Sequence, residues 1–297
     1  MSFGIEDVKR LREETGAGML DCKKALTEAD GDFEKARDIL RKKGLAAVAK
    51  RAVRSAEEGI VAAALNADKD RGALVSLMCE TDFVARTEDF TNFASLLAQS
   101  ILAHKSDDLT DLMKKSLVDS HSTIEDALNE LSAKLGEKIV VSRAVLFPSS
   151  DENVALFSYI HHSRKIGVLL GLKIPDTVNK TLLAEPGKLL AMQVAAARPL
   201  YLNPEEIPSD VLEREKAVYR EQAIQTGKPE AVVEKIVNGK LQKFFREVCF
   251  LEQEFLMDPN AESKSVQEYV SKSVSAKAGG EVEVFGFRRV EIGESNS

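Results

Sequence analysis

An apolar pattern that occurs twice is the feature of this sequence that most constrains its fold. "GIVAAALNADKDRGALVSLMC" (59–79) places two apolar runs on either side of a polar turn, and "VALFSYIHHSRKIGVLLGLKIPD" (154–176) repeats that arrangement. Apolar runs of strand length bounded by turn residues predict a β-hairpin in each copy. A helical segment follows each hairpin, "LLAQSILAH" after the first and "LLAMQVAAA" after the second. The duplication therefore predicts two related strand–strand–helix units, an α+β layer architecture in which helices cover the sheets.

Helical periodicity dominates the rest of the chain. Residues 5–43 carry three short apolar stripes, the third ended by Gly44, which predict a small N-terminal three-helix bundle. Residues 208–249 predict a protruding helical hairpin that turns at "TGKP", with a glycine ending one arm and a proline opening the other. Residues 109–133 are predicted as one helix that ends near Gly136.

The remaining apolar segments complete the domain organisation. "IVVSRAVLF" and "EVEVFGFRRVEI" each predict a strand, and residues 265–274 predict a short helix. The sequence thus predicts four parts: an N-terminal helical domain with a basic linker (1–54), core subdomain N (55–150), core subdomain C (151–207 and 251–297), and the helical hairpin inserted in subdomain C (208–250).

The charge balance argues against a dedicated nucleic-acid-binding protein. The formal net charge is −7, whereas such proteins usually carry a net basic surface. A basic run is nevertheless present at Arg41, Lys42, Lys43, Lys50, Arg51 and Arg54. We interpret it as a solvated linker helix, with an RNA-contacting arm as the alternative.

The cysteines and the N-terminus favour a protein of the cytoplasm. Cys22, Cys79 and Cys249 are an odd number and lie far apart, which disfavours a disulfide framework or a zinc site and fits a reducing compartment. The first residues lack the apolar core of a signal peptide, and no apolar run approaches the length of a membrane span.

The sequence lacks the common motifs of catalysis and cofactor binding. We therefore expect a protein that is not an enzyme and has no cofactor. No P-loop, zinc-protease or serine-hydrolase motif is present. On an extended segment His161 and His162 would point to opposite faces and could not share a metal, so we interpret them as turn residues at a strand end. Cys79 is interpreted as a buried strand cysteine, because no histidine is spaced to activate it.

The segment "CETDFVAR" (79–86) places a phenylalanine on a turn, where polar residues are usual. If the following helix ran through unbroken, Phe83 would share the buried stripe of Phe90, and periodicity alone favours core packing. Thr81 and Asp82 are good N-cap residues, however, and a cap there would fix the backbone and present Phe83 outward. The residues alone leave both alternatives open.

Four motifs resemble the bacterial elongation factor Ts family. They are "LREETGAGMLDCKKAL" (11–26), "CETDFVAR", "YIHHSRKIGVL" (159–169) and "FLMDP" (255–259), and their order and spacing are similar across nearly the whole chain. The resemblance implies a ubiquitin-associated-like N-terminal domain, a core of two related subdomains and a helical hairpin. It also implies a guanine-nucleotide exchange factor that binds elongation factor Tu and has no cofactor of its own, since GDP and Mg²⁺ belong to the partner.

The resemblance also implies the residues that contact the partner. Phe83 would insert between helices of the partner's GTPase domain, near its Mg²⁺ and nucleotide. The other implied contacts are Arg12, Met19, Leu20, Thr81, Asp82, Val84, Leu135, Gly136 and His161, whereas His162 is expected to be structural. Leu20 replaces a second methionine that is frequent in the family, and the further C-terminal helix of some members is expected to be absent.

Other interpretations remain at this point. A nucleic-acid-binding protein would use the basic run, and an oligomeric structural protein would use the hairpin alone. A homodimer could form through the core or the hairpin, and no membrane or direct nucleic-acid contact is expected.

Overall fold

The chain folds into helices and two antiparallel sheets, the α+β class predicted from its sequence. The computed structural model describes residues 3–147, 153–176, 178–258 and 262–294, so the predicted subdomain boundary at 150/151 lies outside the described residues. The helices are α1 (Ile5–Thr15), α2 (Met19–Glu28), α3 (Phe33–Arg51), α4 (Asp82–Ala85), α5 (Glu88–His104), α6 (Leu109–Leu112), α7 (Ile124–Leu135), α8 (Ala184–Ala197), α9 (Ser209–Ile224), α10 (Glu230–Val248), α11 (Val266–Tyr269) and α12 (Ser275–Ala278). A π turn, Val270–Val274, joins α11 to α12, so this helical segment is longer than predicted.

The two sheets have the same topology, which confirms the predicted duplication. Their strands are β1 (Glu58–Leu65), β2 (Gly72–Cys79) and β3 (Val140–Phe147) in the first sheet, and β4 (Val154–Ile160), β5 (Ile166–Lys173) and β6 (Glu283–Glu291) in the second. In each sheet a hairpin supplies the first two strands, and a strand from much later in the chain pairs antiparallel with the second. Each central strand also has a register irregularity against its third strand.

The two sheets pack against each other, and one helix covers the outer face of each. Leu74 of β2 and Leu169 of β5 lie in the cluster between the sheets. Their neighbours, Val75 and Leu170, face α5 and α8 respectively. Because successive strand residues point to opposite faces, both central strands are buried on both sides, which explains their uninterrupted apolar sequence. The order of layers is α5, first sheet, second sheet, α8.

The N-terminal helices form a separate small core, and α3 continues beyond it. The prediction that this helix ends at Gly44 is wrong, since α3 extends to Arg51. The reason is a tertiary contact: α3 packs on α7, where a Cβ at Gly44 would lie 3.1 Å from that of Ala133. Arg41 also pairs with Asp126 of α7 at 3.1 Å. A glycine costs a helix only about 1 kcal/mol, which such packing readily offsets.

The predicted single helix over residues 109–133 is also wrong, since α6 and α7 are separate. Between them Ser116 and Thr123 form an isolated β-bridge, and Thr123 caps α7 by accepting the Asp126 N–H at 3.0 Å. Leu112 and Leu117 are both buried in this segment, although no continuous helix joins them. Gly136 ends α7 in the left-handed conformation (φ 78°), as predicted.

The predicted helical hairpin is confirmed as α9 and α10. Gly227 in the turn has a φ of 69°, a conformation that favours glycine. The two arms pack mainly on each other through Ala223, Val233, Val237 and Leu241. No helix in the described ranges is long and apolar enough to cross a membrane.

Candidate partner-binding surface

Phe83 lies in α4, a single helical turn between β2 and α5. Thr81 caps α4, because its hydroxyl accepts the Val84 N–H at 3.4 Å, and the predicted N-cap is thus confirmed. Phe83 is 81% exposed, although Ala85 beside it is buried. The core packing favoured by periodicity is therefore wrong. The helix is interrupted at Arg86, so the buried stripe of α5 does not extend back to Phe83.

One carboxylate holds the turn that precedes Phe83. Glu137 follows the end of α7, and its Oε2 accepts the N–H groups of Glu80 and Thr81, both at 3.0 Å. Its Oε1 accepts the Thr81 hydroxyl at 2.6 Å. Sequence reasoning missed Glu137. Its only signal was its position in "KLGEK", directly after two predicted contact residues.

The same loop also bonds to Glu80. The Lys138 N–H donates to Glu80 Oε1 at 2.7 Å, and this hydrogen bond lowers the pKa of Glu80. Desolvation opposes that shift, and the Arg54 guanidinium, 3.3 Å from the carboxylate, adds to it. The Lys138 ammonium donates to the carbonyl oxygens of Ala52 and Arg54, both at 2.7 Å. The loop after α7 therefore joins the end of the N-terminal module to the Phe83 turn.

Cys79 lies in this network without being reactive. It is fully buried at the end of β2, as predicted, and its thiol contacts the Thr81 carbonyl oxygen at 3.1 Å. Burial, with Glu137 adding to it, raises the pKa of the Cys79 thiol to about 12. Since the thiolate is the nucleophile, this cysteine remains neutral and inert near pH 7.

The N-terminal contact candidates are next to those at the end of α7. Met19 and Leu20 open α2, and both are exposed, as is Arg12 at the end of α1. The turn between α1 and α2 lies against α7, because a Cβ at Gly16 would be 2.9 Å from Cγ of Lys134.

Lys134 links this region to the start of α5. Its ammonium pairs with Asp89 at 2.7 Å, only six residues after Phe83. Leu135, which follows it, is half-buried, and Gly136 is exposed. The structure therefore brings together candidates from three distant motifs, those of the N-terminal bundle, the Phe83 turn and "KLGEK".

The fourth motif, "YIHHSRKIGVL", faces the Phe83 turn across a groove. A groove of about 730 Å³ separates α4 and the start of α5 from the turn between β4 and β5. Asp82 and Arg86 line one wall, and His162, Arg164 and Lys165 line the other.

The histidine pair departs from its predicted geometry. Both residues follow the last residue of β4, so the interpretation as turn residues is confirmed. The prediction that they point to opposite faces is wrong, since the ring centroids are 4.1 Å apart, because a turn lacks the alternation of a strand. His161 is half-buried and its Nδ1 lies 2.8 Å from the Tyr159 hydroxyl, whereas His162 is exposed and lines the groove.

The basic run belongs to α3 and the turn after it, and several of its cations bond within the chain. Arg41 pairs with Asp126, Lys43 pairs with Asp21 at 2.5 Å, and Arg54 pairs with Glu80. The Arg51 guanidinium donates to the Ser132 carbonyl oxygen at 3.2 Å. The run is thus part of a helix docked on α7 and not a free linker.

The described residues contain no group of three or more histidine, cysteine or acidic side chains placed to hold a metal ion. The surface around Phe83 instead offers an exposed aromatic ring, apolar side chains and a charged groove. Such features suit recognition of another macromolecule, in which a buried aromatic anchor contributes most of the binding energy.

Comparisons with known proteins agree on one family. The family described as "Elongation factor TS" matches residues 80–294. A Clostridium botulinum (strain Alaska E43 / Type E3) protein named "Elongation factor Ts" is 46% identical over 292 residues, which cover 98% of this chain and 93% of the relative. The Aquifex aeolicus protein of that name is 44% identical and covers 99% of both chains. The Nautilia profundicola protein is 43% identical, covering 97% of this chain and 92% of its own.

Proposed function

Because this chain belongs to the elongation factor Ts family, we propose that it is a guanine-nucleotide exchange factor that binds elongation factor Tu and promotes GDP release during translation elongation. The relatives match this chain over nearly their full lengths, so the proposal rests on the chain as a whole and not on one segment of it. The cytoplasmic location expected from the sequence is part of it.

In this proposal the chain performs no chemical step. The partner's P-loop and Mg²⁺ hold the GDP phosphates, and the factor acts by binding the nucleotide-free partner more tightly than the GDP-bound partner. Only such a difference in affinity shifts the equilibrium toward GDP release. By linkage, GDP must weaken binding of the factor by the same ratio.

The exposure of Phe83 is the observation that carries the proposal. A ring that is 81% exposed in the free protein still has most of its apolar surface available for burial. Complete burial of such a side chain is worth about 1.5–3 kcal/mol. Inserted between helices of the partner's GTPase domain, the ring would offset the displacement of elements that hold Mg²⁺ and GDP.

The residues around Phe83 form the rest of the proposed contact surface. Thr81, Asp82 and Val84 belong to the same turn. The flanking positions are Arg12, Met19, Leu20, Leu135, Gly136 and His161. We include His162 because it lines the groove beside Asp82.

Release of labelled GDP from elongation factor Tu tests the proposal. The expected result is a strong acceleration by sub-stoichiometric amounts of the chain, because an exchange factor turns over. The heat-denatured chain is the control. No acceleration, or acceleration that requires stoichiometric protein, would contradict the proposed function.

The proposal requires neither nucleic acid nor a second copy of the chain. Binding of RNA through α3 would instead give an affinity that falls steeply with salt, because each phosphate contact releases counterions. A homodimer through the core or the hairpin stays a prediction, and sedimentation at several protein concentrations tests it.

A further inference from the structure

We propose that Glu137 is a positioning residue that holds the Phe83 turn in its binding orientation before the partner arrives. This inference rests on the proposed function, because it names the residue that prepares the proposed wedge. Glu137 acts through the backbone of the turn and does not itself need to touch the partner.

Phe83 needs such support because almost nothing packs against its ring. With 81% of the side chain exposed, the direction of the ring depends on the backbone of α4. α4 is only four residues long, and helices this short are not stable on their own. Its geometry must therefore come from contacts outside it.

Glu137 supplies those contacts at the N-terminal end of α4. Its carboxylate accepts the two consecutive N–H groups of Glu80 and Thr81 at 3.0 Å. It also accepts the Thr81 hydroxyl at 2.6 Å, and the oxygen of that hydroxyl accepts the Val84 N–H. One side chain thus fixes both the backbone that enters α4 and the residue that caps it.

Glu137 is itself held firmly. Gly136 before it adopts the left-handed conformation, and the Ser132 hydroxyl donates to the Glu137 carbonyl oxygen at 2.5 Å. Lys138 after it bonds to Glu80 through its N–H at 2.7 Å. The loop is therefore a rigid support, and a wedge that is already ordered loses less entropy when it binds.

The donors to Glu137 are neutral. Within the described ranges no Lys, Arg or His nitrogen forms an ion pair with its carboxylate, so its length and its acceptor atoms matter more than its charge. Glutamine keeps the length, an acceptor for both N–H groups and a polar group facing Thr81. Aspartate keeps the charge but withdraws the oxygens by one carbon–carbon bond, about 1.5 Å.

Amide hydrogen exchange on the free protein tests the structural part. We expect Glu137→Ala to lower the protection of the Glu80 and Thr81 N–H groups by about tenfold or more, because the acceptor of both hydrogen bonds is removed. Glu137→Gln should retain most of that protection, and Glu137→Asp should lose part of it. The Val61 N–H, which donates to the Arg164 carbonyl oxygen, should not change. The control is Glu130→Ala, an exposed glutamate on α7.

GDP release from elongation factor Tu tests the functional part. Per folded molecule, with the folded fraction taken from thermal unfolding, Glu137→Ala should slow the stimulated release about tenfold, and Glu137→Gln should be faster than Glu137→Asp. Because Glu137 acts through the wedge, Glu137→Ala should add little to Phe83→Ala in the double variant. Additive losses, or a Glu137→Asp variant faster than Glu137→Gln, would overturn the inference.

The two proposals fail separately. If the wild-type chain does not accelerate GDP release, the proposed function fails, while hydrogen exchange still reports whether Glu137 holds the turn. If Glu137→Ala retains protection at Glu80 and Thr81, the positioning role is wrong even when exchange activity is normal. If Glu137→Ala does not fold, the order of Glu137→Gln and Glu137→Asp decides the positioning role.

Discussion

Replacement of Phe83 by alanine should separate stability from activity. About a fifth of the side chain is buried in the free protein, since 81% is exposed. Full burial of a phenylalanine is worth about 1.5–3 kcal/mol, so the truncation should remove only about 0.3–0.6 kcal/mol from the free energy of unfolding. The matched control is Phe90→Ala seven positions later, because Phe90 is fully buried. That variant should lose about 3–5 kcal/mol.

Exchange activity should show the opposite order, with Phe83→Ala impaired more than Phe90→Ala. If the ring becomes buried in the partner, its loss removes about 1.5–3 kcal/mol from the state that releases GDP, which corresponds to a decrease in stimulated release of about 10- to 150-fold. Binding should decrease less, because the other contacts remain. Phe90→Ala should retain exchange activity per folded molecule, since its ring lies in the core.

Three measurements on the same preparations test these expectations. Urea unfolding gives the stability, labelled-GDP release gives the exchange activity, and titration with nucleotide-free elongation factor Tu gives the affinity. A Phe83→Ala protein that is destabilised as much as Phe90→Ala, with normal exchange per folded molecule, would refute the wedge. Normal stability with normal exchange would refute it as well, because the ring would then serve neither the core nor the partner.

Three further predictions concern the surroundings of Phe83. Removal of residues 1–54 should leave both sheets folded by circular dichroism and sharply reduce exchange, and near-full activity of the truncated chain would exclude a role for the N-terminal module. Joint replacement of Leu135 and His161 by alanine should weaken binding to nucleotide-free elongation factor Tu in calorimetry, and unchanged affinity would make both residues purely structural. Glu80→Gln should be less stable than the wild type near neutral pH, because the folded-state pKa of Glu80 is lowered. The carboxylate then stabilises the fold above its unfolded-state pKa, and this contribution is lost as the pH falls through the folded-state value. Urea unfolding should therefore give converging stabilities as the pH falls through the folded-state pKa of Glu80, and a difference that persists in strong acid would assign the effect to another cause.

Much of the fold could be predicted from the sequence, because most helices, strands and turns are indicated by residues within or next to them. Alternating or continuous apolar runs predicted the strand pairs, and the repeat of that pattern predicted the duplicated sheet. Gly136 ended α7 as predicted, whereas α9 ended at Ile224 and Gly227 lies in the turn that follows; both glycines adopt positive φ. Thr81 was recognised as a cap because that role depends on the residues next to it.

Local signals failed where distant contacts decided the structure. α3 passes through Gly44 because α7 packs against it, and the sequence near Gly44 contains no trace of that neighbour. The predicted helix over residues 109–133 is divided, because a β-bridge between Ser116 and Thr123 separates α6 from α7. Packing of the two sheets against each other likewise depends on residues that are far apart in the chain. Leu74 of β2 and Leu169 of β5, for example, lie in the same buried cluster.

The site divides in the same way. The sequence offered a capped turn at Phe83 as one of two alternatives, because Thr81 and Asp82 directly before it are good N-cap residues. Only the tertiary structure decided that the ring is exposed and what holds it. The supporting carboxylate of Glu137 comes 56 residues after Thr81, and the groove wall at His162 comes from the second repeat. Hydrogen bonds between such distant residues form only when the fold brings the loops together, and no local pattern encodes them.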